Sequence, residues 1–326
     1  MANYLVTGVA GFIAARVSEM LLDAGHSVAG IDNLNDAYDV RMKEYRLSRL
    51  QGRHGFEFHQ IDISDWSALL GLSFSLPSFD AVINLAARAG VRASVENPWV
   101  YVDTNVTGTL NLLELCHRHA IPKFLLASTS SVYGADAPLP TPETASSAFP
   151  LQAYAASKVG AEAMAHAYHY LYDLDVTVVR FFTVYGPAGR PDMSIFRFIR
   201  WIIEEEPVLL NGDGTQSRGF TYIDDIARGV IEGLKPLGFE TINLGGHENI
   251  TMNDLIALME RKIGKKANIE HRPFAKADMK ANLADVRKAG QLLGWKPVVD
   301  LEEGISRTIS WYLENRDWAS KLALNV

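Results

Sequence analysis

The chain has 326 residues, 48% hydrophobic and 21% charged, enough for a large core and more than the roughly 100–200 residues of one typical domain, so two unequal lobes are expected. Its 31 basic and 38 acidic residues leave a net charge of −7, which excludes the basic footprint of a nucleic-acid partner and leaves any anionic ligand to local arginines. A single cysteine excludes an intrachain disulfide framework, and no apolar stretch approaches the roughly 18 residues needed to span a membrane, so a cytoplasmic protein is expected.

At the amino terminus Asn3 to Thr7 reads as a short buried strand, where an export signal would carry a basic and then an apolar region. Gly8-Val9-Ala10-Gly11-Phe12-Ile13-Ala14 follows, and then an apolar-periodic helix through Val17, Met20, Leu21 and Leu22. This has the form of a dinucleotide-binding turn. Gly8 permits the tight turn, Gly11 lets the backbone approach a pyrophosphate, and the helix amino terminus directs free N–H groups at phosphates. Ala14 occupies the third position, which predicts slightly looser packing of helix on strand. The second strand, Ser27 to Ile31, ends in Asp32, 24 residues after Gly8 and at the interval of a ribose-binding acid. A carboxylate there accepts from ribose hydroxyls and repels a 2′-phosphate, so NAD rather than NADP is predicted.

Strands are predicted at Phe56 to Ile61, Ala81 to Leu85, Phe124 to Ser128 and Val176 to Phe182, alternating with helices around 98–119 and 154–172. That alternation argues for a doubly wound parallel sheet, an α/β Rossmann architecture. Cys116 lies in the helical pattern L-N-L-L-E-L-C-H-R-H and reads as a buried structural thiol. His117 with His119, and His166 with His169, lack the accompanying ligands of a metal motif, so no metal is expected. The Phe124 to Ala127 run ends in Ser128, Thr129, Ser130 and Ser131, where an open α/β sheet places ligand-binding residues. Beyond a proline-rich loop, Ala137 to Pro150, Tyr154 and Lys158 stand four apart and therefore one above the other on a helix. An ammonium beside a phenol favours its ionised form and makes a tyrosine base usable near neutral pH. The same spacing also suits a plain amphipathic surface pair; the glycine turn and Asp32 supply the context for chemistry. After Phe182, Gly186, Pro187, Gly189, Pro191 and Asn211-Gly212-Asp213-Gly214 break the periodicity. Residues 183–326 are expected to form a smaller α/β lobe over the substrate, against an NAD-binding domain of residues 1–182 that includes part of 220–250. The strand-like E-T-I-N-L-G-G within Phe220 to Gly246 makes that boundary discontinuous.

Over nearly all of its length the chain resembles the extended short-chain dehydrogenase/reductases that act on nucleotide sugars. The motifs are T-G-V-A-G-F-I-A, Asp32, Asp62-Ile63, N-L-A-A at 84–87, S-T-S-S-V-Y-G at 128–134 and the Tyr154/Lys158 pair. Within that family, I-D-N-L-N-D-A-Y-D-V at 31–40, R-F-F-T-V-Y-G-P at 180–187, G-R-P-D-M at 189–193 and R-G-F-T-Y-I-D-D-I at 218–226 are most similar to UDP-glucuronate 4-epimerases. The resemblance implies an isomerase with NAD as a bound cofactor, a UDP-sugar substrate, and a homodimer formed through helices near 98–119 and 154–172. It implies that Gly8, Gly11, Phe12, Ile13, Asp32, Asn33, Asn35, Asp62, Ile63, Ala86, Ala87, Asn105 and Lys158 line NAD. Tyr154 would be the base and Thr129 the hydroxyl that positions the sugar O4. Ser130, Ser131, Thr183 and Arg190 would surround the uronate carboxylate, Arg218 would meet the diphosphate, and Arg92 would add a substrate contact. Simpler readings stand beside these: Arg92 as a helix cap, Arg190 or Arg218 in a surface ion pair, and N-L-N-D as a turn.

The implied reaction is reversible oxidation at C4 to a 4-keto sugar, turning of that intermediate, and return of hydride to its other face, so that NAD is regenerated. Related decarboxylases carry a glutamate at the position of Ser131, and related 4,6-dehydratases an Asp-Glu pair after the threonine; Ser130-Ser131 supplies neither. Neutral-sugar 4-epimerases, in which asparagine is common at the position of Thr183, are the nearest alternative. A non-catalytic NAD sensor is the alternative of another class, and the joint presence of Thr129, Tyr154 and Lys158 argues against it.

Overall fold

In the computed structural model, which describes residues 1–73, 78–246, 248–274 and 279–324, the first six strands alternate with helices in chain order. They are β1 (Asn3–Thr7), β2 (Ser27–Ile31), β3 (Phe56–His59), β4 (Ala81–Asn84), β5 (Lys123–Thr129) and β6 (Asp175–Phe181). The chain then leaves the sheet through β7 (Thr183–Tyr185), β8 (Val208–Asn211) and β9 (Ser217–Tyr222), and returns to it as β10 (Phe239–Leu244). β10 is the E-T-I-N-L segment, paired parallel with β6 from Phe239↔Val176 to Leu244↔Phe181. The sheet order is β10-β6-β5-β4-β1-β2-β3, and every pairing in it is parallel.

Such a sheet is covered on both faces, which is why its strands read as near-continuous apolar runs. All seven residues of β5 are buried. Alternate side chains serve opposite faces. Leu125 packs with Val6, Val17, Leu21, Ile226 and Trp295 on one side, and Phe124 and Leu126 with Leu5, Leu112, Ala161 and Val176 on the other. Strand order reverses between β1 and β4, and a crevice opens at the carboxyl ends of these two strands.

The helical segments predicted around 98–119 are present, with a wider turn between them. Trp99–Tyr101 passes into a π-helical stretch, Val102–Thr107, before a regular helix, Gly108–Arg118. The widened turn buries Asn105, and Gly108 follows against Ile63, where a Cβ would meet the isoleucine side chain at 2.6 Å. Wide turns of this kind recur at functional sites. Cys116 is buried in the regular helix, and burial pushes its thiol well above its usual range.

Outside the main sheet, β11 (Glu248–Thr251) pairs antiparallel with β9, β9 pairs parallel with β7, and β12 (Ile269–Arg272) pairs parallel with β8. The helices Ser194–Glu204 and Leu301–Glu314 enclose a separate core of Phe196, Ile199, Trp201, Ile305 and Tyr312. No helix among the described residues is long and apolar enough to cross a membrane.

Candidate active site

The crevice at the carboxyl ends of β1 and β4 is an open cleft of about 600 Å³. Gly8, Gly11, Asp32, Asn33, Asn35, Asp62, Ile63, Ala86 and Ala87 line it, with Tyr38, Lys43, Thr104 and Arg190. Gly8 has φ +69°, and a Cβ on it would meet the Ala86 backbone at 2.8 Å; a Cβ on Gly11 would meet the Gly8 carbonyl oxygen at 2.7 Å. Both positions therefore require glycine. The helix Phe12–Asp23 starts with Gly11 at its cap, with no side chain over the first N–H groups. The main chain at Phe12 and Ile13 is thus presented to an anion, while the Phe12 side chain packs away from the cleft beneath the Arg46 guanidinium.

Asp32 is buried and braces the turn: its carboxylate accepts from the N–H of Ala10 at 3.2 Å and of Leu34 at 2.8 Å. Lys43, also buried, stands 3.6 Å from it and donates to the Asn35 side chain. The turn N-L-N-D forms a polar ladder. Asn33 donates to Asp62 at 2.7 Å, Asn35 donates to Asn33 at 2.7 Å, and Arg88 donates to Asn35 at 3.2 Å. Asp62, opposed by its partial burial, is held below the usual carboxylate range by hydrogen bonds from Ser64 and Asn33. A dinucleotide fits this cleft, with phosphates over the Gly8–Gly11 turn, a ribose at Asp32 and polar groups at Asn33 and Asp62. Asn105 is not part of its lining. Its amide is consumed by Arg88 and by Ser157 on the next helix, so it positions the Ala86–Arg88 segment instead.

Tyr154 and Lys158 lie in the first two turns of the helix Ala153–Tyr172, which packs on β5. The Thr129 hydroxyl, at the end of β5, acts on the Tyr154 phenol. Burial pushes that phenol up, opposed by the Thr129 hydroxyl and by the charge of Arg190. The Lys158 ammonium turns to the Ala127 carbonyl oxygen at 3.0 Å, and burial pulls it down to about 8, with the Glu162 carboxylate acting the other way. Helical spacing thus puts phenol and ammonium on one face, and the Arg190 guanidinium is a second cation acting on the phenol.

Arg190 donates through Nε and Nη2 to Asp192 at 3.0 and 2.6 Å and stacks 5.3 Å from the centre of the Tyr38 ring; Nη1 has no partner among the described residues. Ser130 accepts from Asn282 at 2.9 Å. Thr129 and Ser131 are linked at 3.3 Å, and Thr183 opens β7, half-buried. Arg218 lies on β9 and grips main-chain oxygens of Ser217 and Met279 at 2.8 and 2.7 Å. Arg92 meets the Asn211 side chain at 2.6 and 3.0 Å once that amide is oriented oxygen-inward. Arg92 occupies the cap position of the short helix Ala93–Glu96 but makes no side-chain cap.

Residues 4–245 match the NAD dependent epimerase/dehydratase family. The chain belongs to that family. As a member it is 59% identical over 316 residues to a UDP-glucuronate 4-epimerase of Thermodesulfobacterium geofontis, covering 97% of each chain. The structure of UDP-glucuronic acid 4-epimerase from Bacillus cereus in complex with UDP-glucuronic acid and NAD superposes with a TM-score of 0.89 at 35% identity, covering 96% of this chain and 99% of that one. A UDP-glucose 4-epimerase from Thermotoga maritima with UDP-glucose gives the same TM-score at 31% identity, over 96% and 99% of the chains. The family cofactor, NAD, matches the cleft described above.

Lys43, Tyr38, Thr104, Asp192 and Glu162 were not foreseen from sequence. For Glu162 a signal was present: Tyr154, Lys158 and Glu162 continue at intervals of four along one helical face.

Proposed function

We propose that the chain interconverts UDP-glucuronate and UDP-galacturonate by NAD-dependent inversion at C4. The observation that carries this reading is Arg190: a guanidinium held over Tyr38 and beside the catalytic phenol, with Nη1 available to an anion next to the reacting carbon. Tyr154 takes the proton from O4 and later gives it back, and the Thr129 hydroxyl, which acts on that phenol, orients O4. Lys158 supplies positive charge one turn further along the helix. NAD, when bound, accepts hydride from C4 and returns it to the opposite face. Arg190, Ser130, Ser131 and Thr183 hold the C6 carboxylate, while Arg218 and Arg92 hold the UDP end, so that the nucleotide stays anchored as the sugar turns.

The separation into an NAD-binding domain, residues 1–182 with part of 220–250, and a substrate lobe is supported by the return of β10 to the main sheet and by the separate core beyond it. Exposed Val95, Trp99, Val102, Met164 and Leu171 on the helical segments near 98–119 and 154–172 support a homodimer through that face. A cytoplasmic location accords with the lone buried cysteine and a nucleotide-sugar substrate. A neutral-sugar 4-epimerase is the second reading, favoured by Asp192, which already balances Arg190. Incubation of the pure protein with UDP-glucuronate, followed by NMR for the C4 epimer, tests the proposal; turnover of UDP-glucose alone would replace it with the second reading.

A further inference from the structure

Behind the Tyr154/Lys158 pair lies a buried ion pair with no part in the chemistry so far described. Glu162 follows Lys158 by one helical turn, and Arg180 projects from β6; their side chains are 11% and 7% exposed. Arg180 grips Glu162 through Nε and Nη2 at 3.0 and 2.6 Å, and the Ser128 hydroxyl donates to the same carboxylate. Arg180 in turn stacks 4.7 Å from the centre of the Tyr133 ring, whose hydroxyl donates to Asn243 on β10. The carboxylate is therefore fixed from three elements: its own helix, the end of β5, and β6.

We infer that Glu162 is a positioning residue for catalysis: clamped by Arg180, it keeps the Lys158 ammonium charged in a dry site without itself becoming the partner of that ammonium. The charge balance requires the clamp. Were Glu162 unpaired, Lys158 would close a salt bridge with it one turn away and cancel the positive charge needed opposite the phenolate. With Arg180 neutralising Glu162, the group of Tyr154, Lys158, Glu162 and Arg180 carries one net positive charge when the phenol is protonated and none when it is ionised. That arrangement favours ionised Tyr154.

The other groups facing the pair leave this reasoning intact. From β5, Lys158 meets the Ala127 carbonyl, with the neutral Ser128 and Thr129 beside it. Tyr154 meets the edge of the Tyr101 ring at 6.1 Å, and Arg190, the remaining cation near the phenol, is balanced by Asp192. Arg88 lies near Tyr101, and the Asn105–Ser157 bond on the same helix is uncharged. Among these groups, burial lowers the Lys158 ammonium and Glu162 is the charge that opposes it.

The inference rests on the C4 epimerase reading, and the test separates the two. The pH dependence of kcat is measured on NAD-loaded enzyme with UDP-glucuronate and, in parallel, UDP-glucose. In the parent, the basic limb marks loss of the Lys158 proton. Glu162→Gln should move the midpoint of that limb down by roughly one pH unit, from about 8, so that the fall in kcat between pH 7 and pH 9 grows from about tenfold in the parent to about fiftyfold in the variant. Glu162→Asp, which keeps the charge, should restore the parent midpoint whatever its absolute rate. Glu162→Gln strands a buried Arg180 and is prone to misfold, so Glu162→Gln/Arg180→Met serves as a second variant; its net charge is unchanged, but the carboxylate one turn from Lys158 is lost, so the basic limb should still move down, by less than in Glu162→Gln. A midpoint unchanged in the Gln-bearing variants, with kcat reduced by one factor at every pH, would reduce Glu162 to a structural role and overturn the inference. Turnover of UDP-glucose alone would overturn the uronate reading, and the basic limb read with that sugar would still decide the role of Glu162.

Discussion

Arg190→Ala separates the uronate reading from the neutral-sugar reading. In the folded chain Asp192 already takes Nε and Nη2, and both side chains are 20% exposed. Removing the arginine therefore has two consequences. It strands the Asp192 carboxylate in a partly buried position, which costs folding stability on the order of 3 kcal/mol, the low end for breaking a buried pair. On the proposed function it also removes the partner of the C6 carboxylate. Truncation of one partner of a buried charge pair costs about 2–5 kcal/mol, and because Asp192 shares Arg190 the low end, about 2–3 kcal/mol, applies. At about 1.4 kcal/mol per factor of ten, kcat/KM for UDP-glucuronate over UDP-glucose should fall by about 30- to 150-fold. The assay is the ratio of the two specificity constants in the parent, in Arg190→Ala, and in Arg190→Ala/Asp192→Asn, where no charge is stranded. Denaturant unfolding of the same three proteins reads the stability cost separately. A ratio unchanged in both variants would take Arg190 away from the carboxylate and transfer the argument to a neutral sugar.

Tyr154→Phe should abolish epimerisation yet purify with NAD bound, because only the proton acceptor is lost while Gly8, Gly11 and Asp32 remain; near-normal turnover would remove Tyr154 as the base. Gly8→Ala imposes a left-handed backbone on a residue with a Cβ, about 1–2 kcal/mol, and drives that Cβ to 2.8 Å from the Ala86 backbone. NAD should then bind about tenfold more weakly or worse, as read by calorimetry and by the mass of cofactor released on denaturation. Undiminished NAD in the variant, or NADP in the parent, would contradict the assignment of the cleft. UDP-glucuronate should yield UDP-galacturonate with only traces of UDP-pentose, because Ser131, linked to Thr129, supplies no carboxylate and the C6 group is restrained while C4 is a ketone. UDP-xylose or a 4-keto-pentose as the main product by NMR would reverse that reading.

The parallel sheet was legible because strands such as β4 and β5 are short apolar runs bounded by turn residues, and β1 and β2 fall on the predicted residues. The Gly8–Gly11 turn and Asp32 were legible for a different reason: their roles follow from main-chain geometry, which a glycine or a strand-terminal acid imposes locally. The helical segment around 98–119 was legible, but its π-helical turn was not, because periodicity does not register one extra residue in a turn. The π-helical stretch depends on Asn105 reaching Arg88 and Ser157, which are distant in sequence.

Protonation and pairing were the least legible features, because they depend on contacts that spacing does not encode. Lys158 follows Tyr154 by four residues, but its proton is governed by the Ala127 carbonyl, 31 residues away, by burial, and by Glu162. Arg190 was legible as a cation in G-R-P-D-M, and Asp192 stood two residues away in the same string. Only the folded loop shows that this aspartate grips the arginine near the Tyr154 phenol. In both cases a motif identifies a group of the required chemical type, and the fold then sets how much of its charge reaches the substrate. On the proposed function the choice between uronate and neutral sugar turns on the competition of Asp192 and the C6 carboxylate for one guanidinium, a quantity that the paired variants measure and a motif does not contain.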